Sequence, residues 1–247
     1  MRRLSFGSVA SDYDRYRPPP PPQALDWLIP RDARAILDLA AGTGVVTREL
    51  VGRAARVVGV EPDERMRAVL AARCPEAEVL EGRGEDIPLP DASVDAVVIS
   101  AAWHWLDPER AVPEITRVLR AGGTLGVIWI SRDVRVPWVA EFNALARESR
   151  EADRPRDGSA GRRRREIKFP PGTPLSPPEE RRVEFSLPMT SEQLAGLLGT
   201  YSGVITLDPE RRADFSRRVR TFLDRQPWDE VDVPMICRCL RSTRLPG

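Results

Sequence analysis

Lysine and histidine are almost missing from this sequence, which has one of each, Lys168 and His104, in 247 residues. Its 38 basic side chains are therefore nearly all arginine, and 37 acidic ones leave a net charge of +1. A balance so close to zero argues against a protein whose main task is holding polyanions. Cysteine is scarce as well. Cys74, Cys237 and Cys239 are too few and too unevenly spaced for a disulfide framework. Cys237-Arg238-Cys239 supplies two ligands with no second pair and only one histidine elsewhere, so no metal is expected. No apolar run approaches the ~18 residues of a membrane span. The opening MRRLSFGSVASDYD has two arginines but no apolar stretch behind them, unlike a signal peptide. These absences point to a soluble, cytoplasmic chain. What is present, 41% hydrophobic and 30% charged residues, is an ordinary globular composition.

Residues 35–130 alternate β-branched runs with helical stretches. Ala35–Leu39, Arg56–Val60, Ala77–Leu80, Val94–Ser100 and Thr124–Ile130 read as strands. Val45–Val51, Glu64–Arg73 and Arg110–Leu119 read as helices, the last stopped by Ala121-Gly122-Gly123. Val94–Ser100 is nearly all apolar, as a strand buried on both faces should be. Strand and helix alternating at this spacing predict βαβ units and a doubly wound, mostly parallel sheet. The pattern changes after residue 131. Trp138–Arg150 is a helix, and residues 151–180 form an Arg/Pro-rich loop with little apolar surface to bury. Val183–Leu187 and Pro234–Leu240 read as strands, with helices Ser191–Leu198 and Pro209–Leu223 between them. Residues 1–130 carry 16 basic and 19 acidic side chains, a net −3; residues 131–247 carry 22 and 18, a net +4.

The sharpest motif follows the first strand: Asp38-Leu39-Ala40-Ala41-Gly42-Thr43-Gly44. Glycines here allow a tight turn and a close backbone approach to a ligand, with the unpaired N–H groups of the next helix facing it. A dinucleotide site would want a third glycine at position 47, which is Thr47. Nor does it ask for an acid four residues before the first glycine. Asp38 suits a ligand with an ammonium group better than a pyrophosphate. Glu61 closes the second strand, 19 residues after Gly42. An acid there can accept hydrogen bonds from two ribose hydroxyls, and Pro62 and Met66 follow at the right distance to pack on a purine. In Gly84-Glu85-Asp86-Ile87-Pro88 a carboxylate can accept from an exocyclic amine and the Ile87 amide can donate to a ring nitrogen. Any one of these acids could be a helix cap. Three in order after successive strands are hard to explain that way.

Residues 35–130 resemble a class I S-adenosylmethionine-dependent methyltransferase in the glycine loop, the acid after strand two, GEDIPLPDASVDAVV and the AGG turn before strand five. Phe6–Pro18 and Met189–Leu207 resemble the flanks of the bacterial subgroup akin to trans-aconitate methyltransferases. The resemblance implies a Rossmann-like seven-stranded sheet in one domain, with the last strand antiparallel and a helical insertion before it. It also implies three regions: a cofactor-covering segment (1–30), a cofactor-binding core (35–130) and a substrate-side region (131–247). S-Adenosyl-L-methionine is the implied cofactor. Its methionine portion would lie against Asp38, Ala40, Gly42, Thr43 and Gly44, and its ribose on Glu61. Pro62 and Met66 would flank the adenine, with Glu85, Asp86 and Ile87 along its edge and Ser100 at the end of strand four. The N-terminal segment would bring Tyr13 and Arg17 to the cofactor carboxylate, with Tyr16 beside them. Ala40 stands where the family more often has glycine. Ile130-Ser131-Arg132-Asp133 lacks the asparagine often found after strand five.

Methyl transfer from a sulfonium is an in-line displacement, so the protein's main work is orientation. A base is needed only for a nucleophile that is protonated at working pH. His104, in Trp103-His104-Trp105 past the fourth strand, is the candidate base or a pocket-lining residue. Trp103, Arg132, Trp138 and Tyr201 join it and Tyr16 as substrate-side candidates. The expected acceptor is a small molecule, methylated on oxygen, nitrogen or carbon by a monomer or homodimer. A carboxylate acceptor is the version the subgroup suggests, with Arg17, Arg132 or the loop arginines able to hold the acid. Two alternatives stand beside it: a cofactor-bound enzyme such as a cyclase that transfers no methyl, and a nucleic-acid methyltransferase supported only by Arg162–Arg165.

Overall fold

The computed structural model describes residues 10–151 and 167–246, with the side chains of 147–151 and Ser202 left aside. The elements in order are α1 (Ala10–Tyr16), α2 (Pro22–Leu28), β1 (Ala35–Leu39), α3 (Val45–Leu50), β2 (Arg56–Val60), α4 (Glu64–Arg73), β3 (Glu78–Leu80) and β4 (Val94–Ser100). There follow a 3-10 turn (Trp103–Trp105), α5 (Pro108–Val118), β5 (Leu119–Arg132), α6 (Pro137–Glu151), β6 (Glu179–Thr190), α7 (Ser191–Gly199), α8 (Ser202–Ile205), α9 (Pro209–Leu223) and β7 (Glu230–Thr243). The seven strands lie in the order β3-β2-β1-β4-β5-β7-β6, with β7 antiparallel. This is the doubly wound sheet that the alternating pattern predicts, with the antiparallel last strand that the resemblance implies. Among the described residues no helix is long and apolar enough to cross a membrane.

Chain contacts divide the described residues into two compact units. The first comprises residues 18–130, 167–183 and 237–246. In it β1 runs parallel to β2, from Ala35↔Arg56 to Leu39↔Val60, and to β4 on its other side. All five β1 residues are buried, so this strand is the floor from which the glycine loop departs. Leu37, Leu39, Val58, Val60, Val97, Ile99, Ile115 and Leu125 form the middle of its core. Helices α4 and α5 begin where acids cap them: Asp63 accepts from the Arg65 amide at 3.0 Å and Asp107 from the Glu109 amide at 3.2 Å.

The second unit comprises residues 10–17, 131–151 and 184–236. Here α7 starts with a capping box. The Gln193 amide donates to the Thr190 hydroxyl at 3.2 Å, and the Gln193 side chain accepts from the Thr190 amide at 2.8 Å. Its apolar stripe, Leu194, Leu197, Leu198, Phe215, Val219 and Phe222, is buried throughout. Phe142 of α6 meets Phe222 of α9 with ring centroids 5.5 Å apart.

Several element boundaries differ from the sequence reading. Helix α5 ends at Val118, and Ala121-Gly122-Gly123 does not stop it but lies inside β5. The pairing with β4 jumps from Val94↔Leu119 to Ala96↔Thr124, so the glycines form a bulge. Gly122 has φ 79°, and a Cβ on Gly123 would sit 2.9 Å from the carbonyl oxygens of Arg120 and Asp95. Strands β6 and β7 run longer than expected, to 12 and 14 residues. Paired backbone extends past the apolar runs that marked them. The expected Arg/Pro-rich loop lies mostly outside the described residues, Arg162–Arg165 included.

Candidate active site

The candidate cofactor cradle lies at the carboxyl ends of β1 and β2, where open α/β sheets bind their ligands. The chain leaves β1 through Ala40 (φ 58°), Gly42 (φ 60°) and Gly44 (φ 87°), three left-handed residues within five. At Gly44 a Cβ would come within 2.4 Å of Leu70 Cδ1 and 3.1 Å of Cys74 Sγ, so α4 can pack against the loop only if that residue is glycine. Ala40 takes the same backbone region with a methyl group, at some cost in strain.

Asp38 is 1% exposed. Its carboxylate accepts the Thr47 hydroxyl at 2.7 Å. Burial raises its pKa to about 7, and the neighbouring Glu61 adds to the rise while Thr47 opposes it. Thr47, unremarkable in the sequence except as a missing glycine, is thus the direct partner of the loop's key acid. Glu61 ties the loop to the second strand: its Oε2 accepts from the Gly42 amide and its Oε1 from the Asp63 amide, each at 2.9 Å. Burial also raises the Glu61 pKa, against those two hydrogen bonds. A carboxylate has about four acceptor positions, so both oxygens keep one for a ribose hydroxyl. The Thr43 hydroxyl is buried without a partner among the described residues. Spare acceptors on Glu61 and an orphaned hydroxyl in the loop fit a polar, hydroxyl-bearing ligand. Met66 is buried in the first turn of α4, and Pro62 is half-buried before it.

The third segment is arranged differently from the expectation. The Ile87 amide, expected to meet a ring nitrogen, already donates to Glu114 Oε2 at 2.9 Å. Arg117 completes this clamp, donating to the Ile87 carbonyl at 2.9 Å, the Leu89 carbonyl at 2.7 Å and Glu114 Oε1 at 2.7 Å. The paired guanidinium lowers the Glu114 pKa. Ile87 therefore anchors the segment to α5, and Glu85 accepts the Asp107 amide at 3.0 Å at the start of that helix. Asp86 is exposed, and its backbone bonds reciprocally with Arg83 in a turn centred on Gly84 and Glu85. Ser100 ends β4, and His104 is half-buried in the 3-10 turn, its ring centroid 4.6 Å from that of Trp105. Trp103 belongs to the core cluster and meets Phe169 edge-on at 6.2 Å, so its surface is spent on packing.

The second unit holds the remaining candidates. Arg132 is only 5% exposed. Its guanidinium lies 5.3 Å from the ring centroids of both Phe142 and Tyr201, and Nη2 donates to Asn143 Oδ1 at 2.6 Å. Nε and Nη1 are buried with no partner among the described residues. The adjacent carboxylate, Asp133, is occupied by Arg135 at 2.6 Å. Arg17 approaches the same tyrosine: its guanidinium lies 4.7 Å from Tyr201 and 4.8 Å from Tyr13, with Nη2 donating to the Thr200 carbonyl at 2.9 Å and Nε buried without a partner among the described residues. Two guanidinium groups thus flank the Tyr201 ring. Tyr16, expected beside the substrate, instead fixes α1 on α7; a Cβ on Gly196 would strike its ring at 2.5 Å. Trp138 packs edge-on against Trp228 with centroids 5.3 Å apart. Cys237 and Cys239 are buried with sulfurs 3.5 Å apart.

Known proteins agree with this geometry. A profile described as "Methyltransferase domain" matches residues 37–127. The uncharacterized methyltransferase Mb3374 of Mycobacterium bovis is 41% identical over 244 residues, 97% of this chain and 96% of that one. The uncharacterized methyltransferase C25B8.09 of Schizosaccharomyces pombe is 28% identical over 251 residues, 98% of each chain. Among solved structures, a protein of Anaeromyxobacter dehalogenans provisionally assigned as a type II methyltransferase superposes with a TM-score of 0.65 at 25% identity, covering 94% of this chain and all of the other. With a cradle of this construction and relatives spanning its whole length, the chain belongs to the class I S-adenosylmethionine-dependent methyltransferases.

Proposed function

We propose that the protein methylates a small-molecule acceptor bearing a carboxylate, anchored by Arg132 with Arg17 beside it. One observation carries this reading: Arg132 is buried with two of its three nitrogens unpartnered among the described residues. A cation held out of water without a counter-charge is costly, and an acceptor carboxylate offsets that cost through charge-assisted hydrogen bonding. The resemblance of residues 6–18 and 189–207 to the trans-aconitate subgroup supports the same acceptor class.

The bound cofactor supplies a methyl group already activated on a sulfonium. Asp38, Thr43, Glu61 and Met66 would hold it, with Glu85 and Asp86 offered to its adenine; Ile87 would serve that segment indirectly, through its bond to Glu114. Arg132 and Tyr201 orient the acceptor. A carboxylate oxygen is already ionised at neutral pH, so no residue need remove a proton from it. His104 then lines the pocket rather than acting as a base. The test is a panel of small carboxylic acids and their primary amides, incubated with a methyl-labelled cofactor. Labelled esters from acids alone support the reading, and equal labelling of the amides refutes it.

A further inference from the structure

The cofactor cradle uses the carboxyl ends of the strands, and the opposite end of the first unit carries a second cavity. It is a broad, solvent-open groove of about 710 Å³, within the volume range of small-molecule sites. Trp27 of α2, Arg31 ahead of β1, Thr124 of β5, Arg181 of β6 and Arg241 and Thr243 of β7 line it. Thr124 pairs with Ala96, which pairs with Ile36 near the start of β1. The glycine loop departs from the other end of that strand, after Leu39. This cavity is therefore separate from the cofactor site.

Its walls are cationic and partly prearranged. The Arg241 guanidinium lies 4.6 Å from the Trp27 ring centroid, with Nη1 donating to the Trp27 carbonyl at 2.9 Å and Nη2 to Glu179 Oε2 at 3.0 Å. Its Nε is buried and has no partner among the described residues. Asp26, also on the wall, is engaged by Arg53. These two pairs cancel. Arg31 and Arg181 are exposed at the cavity and make no hydrogen bond or ion pair among the described residues. Two positive charges are left over. A monocarboxylate balances one of them, whereas a phosphate monoester carries about −1.5 to −2 at neutral pH and balances both. The volume exceeds what a bare phosphate fills, leaving room for an organic group against Trp27 and the two threonines.

We propose that this cavity binds a small organic phosphate monoester, its phosphate held by Arg31 and Arg181. The probe is phenyl phosphate, titrated calorimetrically into the full chain with the cofactor site saturated by S-adenosylhomocysteine. Inorganic phosphate and benzoate are the comparison arms. Phenyl phosphate should bind, and Arg31→Gln and Arg181→Gln should each weaken it about tenfold. S-Adenosylhomocysteine affinity should stay unchanged in both variants, which also shows that they fold. Weaker binding of inorganic phosphate identifies the ester as the ligand; equal binding identifies the free ion at the same anion site. Benzoate binding as tightly as phenyl phosphate, unchanged affinity in the double variant, or no binding up to millimolar concentration would overturn the proposal.

Discussion

Asp38 and Glu61 show what single residues contribute and what single letters conceal. Both acids, and their order along the chain, are legible in the sequence because the ends of β1 and β2 are marked by β-branched runs. Their protonation is not, since it depends on burial that only the packed sheet creates. The folded pKa of Asp38, about 7, lies above its ordinary 3.8. Its contribution to stability is therefore complete below pH 3.8 and is lost as pH rises through about 7, because the unfolded chain ionises first. Asp38→Asn removes that loss. Near pH 8 the substitution should raise stability by on the order of 2 kcal/mol, about 4–8 °C in Tm, with the gap closing toward pH 4 in a thermal melt series. Cofactor binding has the opposite requirement. The cationic cofactor favours ionised Asp38, so affinity should fall by up to about tenfold per pH unit below 7, and binding at neutral pH should release a proton. Calorimetry in buffers of different ionisation enthalpy measures both. His104→Gln should leave the pH profile of methyl transfer to a carboxylate unchanged; loss of an acidic limb from that profile would restore the base role.

At the scale of elements, the helix starts were plain and the strand limits were not. Asp-Pro-Glu-Arg occurs twice, at 107–110 and 208–211, and both times the aspartate caps a helix opening on proline. The mistaken stop at Ala121-Gly122-Gly123 has a clear cause. A glycine pair after an amphipathic run marks a helix end as well as a bulge, and only the register with β4 separates the two. The same ambiguity hid the Ile87 clamp, because Glu114 and Arg117 look like a surface pair on α5 until β4 brings that helix beside residues 87–91. The bulge gives a direct test. In Gly123→Ala the new Cβ meets two backbone carbonyls at 2.9 Å, neither of which can swing aside. Stability should fall by roughly 1–3 kcal/mol, read from the urea midpoint, while cofactor affinity in the folded fraction persists.

The described residues form two units built from interleaved segments, one of whose boundaries is Ile130/Ser131; there the sequence changes from regular βα alternation to irregular spacing, and residues 1–130 carry a net −3 against +4 for residues 131–247. The near-zero total conceals how the arginines are used. Many make surface ion pairs, such as Arg56 with Glu78 at 2.7 Å, each worth little alone. Arg132 and Arg17 are set apart by buried guanidinium nitrogens that have no partner among the described residues, which no composition figure could reveal. They define the central claim, that this methyltransferase selects its acceptor by a carboxylate. The most direct measurement is steady-state kinetics of Arg132→Gln with the best carboxylic acid acceptor from the panel, beside cofactor binding to the same variant. The expected result is a KM raised by about 10- to 100-fold, from loss of a charge-assisted pair worth about 1.5–3 kcal/mol, with cofactor affinity intact. An unchanged KM with wild-type cofactor affinity would contradict it.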